Sequence, residues 1–438
     1  MDLIRKISGL FLFSICLFFF FGLSSCKSGK NIASRKSPLE HKFYKSSLFK
    51  EAFTGFILYD PASKTELINY NGLKYFTPAS NAKIATLLSA IEILQDSIPF
   101  IQYQKVGDTL YFSGTGDPCN LNPYFQDNQH LLNWLSFRPE TLIYKSMRNN
   151  PDRYGSGWAW DDNKYYYQLE NNAFPVFGNQ IHINVLDSTL SVLPEILKAE
   201  ISFEYRDKQD LIKPEYANNI QLFSNGRDFD RIVPMHVSDS LMVRLMSDTL
   251  KKSINFFTGS ASNFLGTSVR RTMPDSLLIR MMQESDNFIA EQVLIMCSFE
   301  LSDSLNRNIA IDNRLTAWNA FIPEKIRWVD GSGLSRYNLF TPVSIVKMLE
   351  RIRTIKGDAW VSEVFAQGRV SGTIRSAYGP YVYAKTGTLS NNHNLSGYIQ
   401  CQSGKTFIFS FMHNHFMGSA SKYQMEMSSM LEWIHKHY

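Results

Sequence analysis

Apolar positions along this chain recur at two spacings, and each predicts a different element. Gly55-Phe56-Ile57-Leu58-Tyr59-Asp60 and Glu66-Leu67-Ile68-Asn69-Tyr70 flank the turn residues Pro61 to Lys64, which predicts a hairpin. Ile84, Leu87, Leu88, Ile91 and Leu94 then recur at helical spacing, so a buried helix follows. Thr77 is its candidate cap. Pro78 suits the first helical position, where a missing N–H costs nothing. Thr109-Leu110-Tyr111-Phe112 reads as a short strand and Ser113 to Pro118 as a turn. The turn glycines lack both a following Lys-Ser/Thr and Rossmann spacing, which argues against a phosphate loop. From there to about Ser262 come short strand-like runs and Tyr- and Asn-rich loops without a long apolar helix, so a mostly β insert over 113–262 is expected. Helical texture returns at Asp275 to Met282 and from Ser285 through Val293-Leu294-Ile295. Asp330 to Ser335 is a tight loop. Strands follow at Leu395 to Gln400 and Thr406 to Met412, around Ser403-Gly404, and an amphipathic helix runs from about Ser421 to His435. There is no internal repeat. Periodicity alone shows mixed α and β.

Composition narrows this picture. The 438 residues suit two or three domains, and 44% hydrophobic with 19% charged residues is a globular balance. A net charge of +5 is compatible with an anionic polymer, but no basic run marks a nucleic-acid site. Arg5 and Lys6 precede an apolar run from Ile7 to Leu23, the pattern of an export signal over 1–25. Leu23-Ser24-Ser25-Cys26 resembles a bacterial lipobox, which implies cleavage before Cys26 and lipid on its thiol, with 26–38 as a tether. An uncleaved anchor or an ordinary signal with a chance cysteine are the alternatives. Cys119, Cys297 and Cys401 remain, with no disulfide framework and no zinc spacing; Cys297 reads as a core thiol. No metal and no organic cofactor is expected. His413-Asn414-His415 has no supporting carboxylate spacing and reads as a strand-end pair.

The candidate chemistry begins in the first turn of the buried helix. Ser80 and Lys83 sit three apart, on one face, so a lysine that sheds its proton can activate the serine. Ser-x-x-Lys is a weak signal alone, since Ser47/Lys50 and Ser344/Lys347 repeat it. It gains weight from Ser285-Asp286-Asn287 and Lys385-Thr386-Gly387, which follow in order. Ser80 is the candidate nucleophile and Lys83 the base, its pKa pushed down by burial and by a second cation, Lys385. Ser285 can relay a proton, and Asn287 can hold the Lys83 ammonium or a substrate amide. Lys385 and Thr386 can grip a carboxylate; Gly387 leaves room for substrate backbone at a strand edge. The N–H groups of Ser80 and Thr388 are the oxyanion candidates.

These residues resemble the penicillin-binding protein 4 type of D-alanyl-D-alanine carboxypeptidase/endopeptidase, the low-molecular-mass class C penicillin-binding proteins. Pro78-Ala79-Ser80-Asn81-Ala82-Lys83 looks like that family's nucleophile motif, and Ser285-Asp286-Asn287 with Ala290-Glu291 is similar to its second motif. Asp330-Gly331-Ser332-Gly333-Leu334-Ser335-Arg336, Gly372-Thr373-Ile374-Arg375 and Lys385-Thr386-Gly387-Thr388-Leu389 fit it too, as do Gly116-Asp117-Pro118 and Gly157 to Asp162 within the insert. A class A β-lactamase has a far shorter gap between the first two motifs and a Glu-x-x-Leu-Asn element that this chain lacks. The resemblance implies an α/β (α+β) fold: a transpeptidase/β-lactamase-like domain over 39–112 and 263–438, with an antiparallel sheet flanked by helices, and the β-rich insert. It implies a serine D-Ala-D-Ala carboxypeptidase acting on peptidoglycan stem peptides, acylated by β-lactams. It places Asp162 near the substrate's side-chain amine, with a structural turn role as the alternative. Arg336 contacts an anionic substrate or caps its loop. The aromatic residues of the insert pack in a core or form a sugar platform. With the lipobox, the resemblance implies a lipoprotein of the Gram-negative periplasm, at the outer membrane. Rival readings are a serine β-lactamase or esterase on the same scaffold and a non-catalytic peptidoglycan-binding protein.

Overall fold

The computed structural model describes residues 37–147, 151–187, 189–259 and 266–438. The expected signal, Cys26 and the tether up to residue 36 lie outside the described residues. The chain divides into a unit ending at Lys42 and a compact unit from Phe43 to Tyr438. In the first, Ser37 and Glu40 cap the helix Pro38–Lys45 reciprocally, each backbone N–H donating to the other's side chain.

The second unit carries the site. Its central six-stranded sheet is antiparallel, in the spatial order Ala366–Gln367, Val382–Leu389, Asn392–Gln400, Thr406–Asn414, Phe53–Asp60, Thr65–Tyr70. The hairpin forms where its pattern predicts, and Phe56 pairs with Phe411 across the next strand. Their rings stack at 4.3 Å, and Phe43 and Phe49 join them. Helices of the main core pack together around the buried helix Lys83–Ser89: Asp275–Gln283, Asn287–Ser302, Arg307–Trp318 and Pro342–Val364. Every residue from Lys83 to Ser89 is buried, which explains why its apolar pattern is so dense. Cys297 sits in this core.

The insert organises a second core. Its five-stranded sheet has the order Ile254–Phe256, Thr141–Tyr144, Thr109–Ser113, Ser97–Val106, Thr267–Thr272. The expected boundaries at 113 and 262 therefore run through this sheet: Ser97–Val106 and Thr267–Thr272 pair with each other and not with the central sheet. Two three-stranded sheets complete it. The region is not helix-free. Asp239–Leu250 buries Leu241, Met242, Leu245 and Met246, and Ser238 caps it by accepting from Leu241 N–H. Its four buried positions fall at i, i+1, i+4 and i+5, and Leu241-Met242-Val243 reads locally like the short strand-like runs around it.

Candidate active site

Ser80 does not sit in the first turn of an α-helix. It lies in a 3₁₀ turn, Ala79–Ala82, that leads into the α-helix Lys83–Ser89. No side chain caps this turn; Thr77 instead offers its carbonyl to Asn394 Nδ2 at 3.0 Å. Ala79 takes φ +48, a left-handed conformation uncommon for a residue with a side chain. Two glycines close on the turn. A Cβ on Gly333 would stand 1.9 Å from the Ala79 carbonyl oxygen, and one on Gly387 would stand 2.4 Å from that of Pro78 and 3.1 Å from the Ser80 nitrogen.

The expected partners converge on Ser80. Lys83 Nζ is 3.2 Å from Ser80 Oγ and donates to Asn287 Oδ1 and the Ser332 carbonyl, both at 2.6 Å. Asn287 Nδ2 donates to the Tyr167 carbonyl at 2.9 Å, which fixes the amide so that its oxygen faces the lysine. Asp286 caps the helix Asn287–Ser302 through Ile289 N–H, and Arg280 holds its other oxygen at 2.9 Å. Ser285, just ahead, takes φ +61. Lys385 Nζ, on the strand Val382–Leu389, donates to Ser285 Oγ at 2.8 Å and to the Thr386 carbonyl at 2.9 Å.

Burial pushes the Lys83 ammonium down to about 8, against the nearby carboxylates of Asp330, Asp286 and Glu291, which favour the charged form. Of the two causes expected, burial and Lys385, burial is the one that acts at Lys83. Lys385 is itself pushed well down, first by burial and then by repulsion from Lys83.

A cleft of about 970 Å³ opens over these groups. Ser80, Ser285 and Asn287 line it, with Thr386, Thr388 and Arg336 and, from the insert, Gly157, Ala159, Asp161 and Asp162. Beyond Lys385, the strand Val382–Leu389 pairs only on its Asn392–Gln400 side among the described residues, since Ala366–Gln367 reaches no further than Ala384.

A model of the D-Ala-D-Ala carboxypeptidase 3 (S13) family matches residues 39–229 and 268–437. The chain belongs to this family. It is thus a peptidase of the kind its three motifs imply, on the mixed α/β fold with an antiparallel sheet flanked by helices. The D-alanyl-D-alanine carboxypeptidase DacB of Haemophilus influenzae is 24% identical over 411 residues, which span 81% of this chain and 84% of that protein. The crystal structure of penicillin binding protein 4 (dacB) from Haemophilus influenzae is similar with a TM-score of 0.71 at 20% identity, over 92% of this chain and 100% of that one. The structure described as its complex with a novel β-lactam is similar at a TM-score of 0.66, with the same identity and coverage. The stretch the family model leaves unmatched holds the helix Asp239–Leu250.

The motifs name Asp330 and Glu291 without showing what they hold. Asp330 is fully buried and accepts from Trp158 Nε1 (2.8 Å), the N–H groups of Gly333 (2.9 Å) and Ser335 (2.7 Å), and Asn338 Nδ2 (2.6 Å). It shapes the loop whose Ser332 carbonyl holds Lys83. Glu291 supports the same loop, accepting from Ser332 N–H at 2.8 Å while Arg307 neutralises it at 2.5 Å. Glu291 is visible in the sequence only as part of the second motif; Arg307 is not visible at all.

The remaining candidates separate. Asp162 lines the cleft, half-buried, and accepts from the Tyr167 hydroxyl at 3.0 Å. Arg336 is exposed and donates to the Ser390 carbonyl at 3.1 Å. Trp158 packs inward, whereas Trp160 and Tyr166 stand exposed at 83% and 66% beside the cleft, so neither single expectation for the aromatic residues covers all three. His413 is buried against Phe49 at the end of the strand Thr406–Asn414, and His415 is exposed. Among the described residues no group of three His, Cys, Asp or Glu side chains converges as a metal site.

Proposed function

We propose that Ser80 is the nucleophile of a serine D-Ala-D-Ala carboxypeptidase/endopeptidase that cleaves peptidoglycan stem peptides through an acyl-enzyme. The observation that carries this reading is the coordination of Lys83 Nζ. A neutral amine has two N–H bonds and one lone pair. Asn287 Oδ1 and the Ser332 carbonyl take the two protons, and Ser80 Oγ stands at the third position. The lone pair therefore meets the hydroxyl proton, and a pKa near 8 keeps a useful fraction neutral at pH 7.

Ser80 Oγ bonds to the carbonyl carbon of the penultimate D-alanine as its proton passes to Lys83. The N–H groups of Ser80 and Thr388 receive the oxyanion. The C–N bond then breaks, and the proton reaches the leaving amine by way of Ser285, which Lys385 holds in contact. Water later splits the ester and restores Ser80. Thr386 and Thr388 face the substrate's terminal carboxylate, its backbone runs along the open strand edge, and Asp162 faces its side-chain amine; Gly387, expected to make room for substrate, instead makes room for the Pro78 carbonyl of the Ser80 turn. The β-lactam complex of the Haemophilus influenzae relative supports β-lactams as acylating mimics. A fluorescent penicillin should label wild-type protein and leave Ser80→Ala unlabelled. Labelling that survives in Ser80→Ala would remove Ser80 from its role. Mass spectrometry of defined muropeptides should show loss of terminal D-alanine or of cross-links.

Cys26 is proposed as the lipid attachment site of a periplasmic, outer-membrane lipoprotein. Its support is the charged, apolar and Leu-Ser-Ser-Cys pattern. Cys26→Ala should shift the protein from the membrane to the soluble fraction of a fractionated Gram-negative cell; an unchanged distribution speaks for another anchor.

A further inference from the structure

Thr388 and His393 are direct partners across neighbouring strands of the central sheet, so their side chains leave the same face. Thr388 Oγ1 is 2.9 Å from His393 Nδ1, and His393 Nε2 is 3.2 Å from the Tyr378 hydroxyl. Tyr378 and His393 are 2% and 4% exposed, while Thr388 opens onto the cleft. Neither Tyr378 nor His393 belongs to any motif that points to the site.

Proton counting fixes the direction of this chain. Burial pushes the His393 imidazole down to about 4, so the ring is neutral and carries one N–H. Burial pushes the Tyr378 phenol up, so it keeps its proton. A buried hydroxyl proton needs an acceptor, and among the described residues His393 Nε2 is the partner of Tyr378. The phenol therefore donates to Nε2. The imidazole proton must then sit on Nδ1, which donates to Thr388 Oγ1. Thr388 accepts that bond and keeps its own O–H for the cleft. The Thr386 hydroxyl differs, because it shares one proton with Thr373 Oγ1 at 2.7 Å.

We propose that Tyr378 and His393 form a relay of fixed polarity that holds the Thr388 hydroxyl as a donor to the substrate's terminal carboxylate, with His393 as a positioning residue that sets selectivity for that carboxylate. The proposal rests on the reading above of where the carboxylate lies. Its consequence is selective: the relay serves a charged acceptor and gives little to an esterified one.

Two measurements test it. In the ¹⁵N spectrum of histidine-labelled protein, with His393→Asn identifying the signal among nine histidines, His393 should show a protonated Nδ1 and a bare Nε2. A proton on Nε2 overturns the relay. Acylation rate constants are then compared for penicillin G and its methyl ester. His393→Leu should slow penicillin G about tenfold and the ester by a clearly smaller factor. His393→Asn, whose amide N–H lies near the position of Nδ1, should restore most of the loss. Tyr378→Phe should mix the two tautomers and lose about threefold with penicillin G. Equal losses on both substrates, or no rescue by asparagine, also overturn it. If wild type is acylated by neither compound, the Ser80 reading fails, and the ¹⁵N spectrum still decides the relay.

Discussion

The lysine at position 83 is out of water and surrounded by acidic groups, and these two influences pull its proton in opposite directions. Desolvation disfavours the ammonium; Asp330, Asp286 and Glu291 favour it. The result, about 8 instead of 10.5, sets the sign of a pH effect. The base works when neutral. Below about 8 the neutral fraction falls tenfold for each pH unit, so acylation should slow in proportion; above about 8 the lysine has lost its proton and the rate should level off. Stopped-flow acylation by a chromogenic β-lactam between pH 6 and 9.5 reads this limb. A rate that is flat from 6 to 8 would show that another group takes the proton. Lys83→Arg should cost at least about a thousandfold at every pH, because guanidinium keeps its charge and cannot act as the base.

At the scale of elements, the 3₁₀ turn Ala79–Ala82 carries the nucleophile and is closed on by two glycine backbones. Gly333, from the Asp330 loop, closes on the left-handed Ala79, and Gly387, from the Lys-Thr-Gly strand, closes on the Pro78 carbonyl and the Ser80 and Asn81 nitrogens. Gly333→Ala would place a methyl group inside the Ala79 carbonyl and would also strain a residue at φ +83. Something must move, and the Ser80 backbone is what lies there. Displacing a nucleophile by about 1 Å costs about a hundredfold in rate. Gly333→Ala and Gly387→Ala should each lose acylation on that order. Gly404→Ala is the control: it has a similar φ, +84, but open space around it, so it should lower the urea midpoint slightly and leave acylation unchanged. Wild-type rates in both site variants would show that the turn is not pinned.

The same element shows what the sequence makes legible. Ile84, Leu87 and Leu88 report the buried helix because burial on all sides leaves its mark on each residue. The 3₁₀ turn ahead of it leaves none. Its shape comes from Gly333 and Gly387, remote in sequence, and Thr77 keeps the residue type of a cap without the geometry of one. The three motifs are readable because chemistry dictates their residue types. Arg307, Tyr378 and His393 act through packing and proton order, and no local spacing encodes that.

On the scale of the whole molecule, the insert is fastened to the catalytic groups. Trp158 donates to Asp330, the Tyr167 carbonyl orients Asn287, and Gln292, on the helix that Asn287 begins, donates to the Gly116 carbonyl at 2.8 Å. The Gly116-Asp117-Pro118 turn is therefore a joint. Asp117 anchors it, fully buried, by a two-pronged pair with Arg271 at 3.0 and 3.1 Å and by accepting from Cys119 N–H at 3.0 Å. Arg271 lies on the strand Thr267–Thr272, 154 residues away, which is why the turn alone does not reveal its role. Arg271→Met leaves the Asp117 carboxylate buried without its cation, at a cost of about 3–5 kcal/mol. Removing both charges, in Asp117→Leu/Arg271→Met, should recover part of that loss, although Cys119 N–H then lacks its acceptor. Urea unfolding of the three variants measures the coupling. Arg271→Met should also slow acylation more than the double variant does, because a stranded carboxylate drags the turn toward water and loosens Gln292, and with it the helix that presents Asn287 to Lys83. Stability losses that simply add, with acylation untouched in both, would mean that the insert is packed beside the catalytic groups without bracing them.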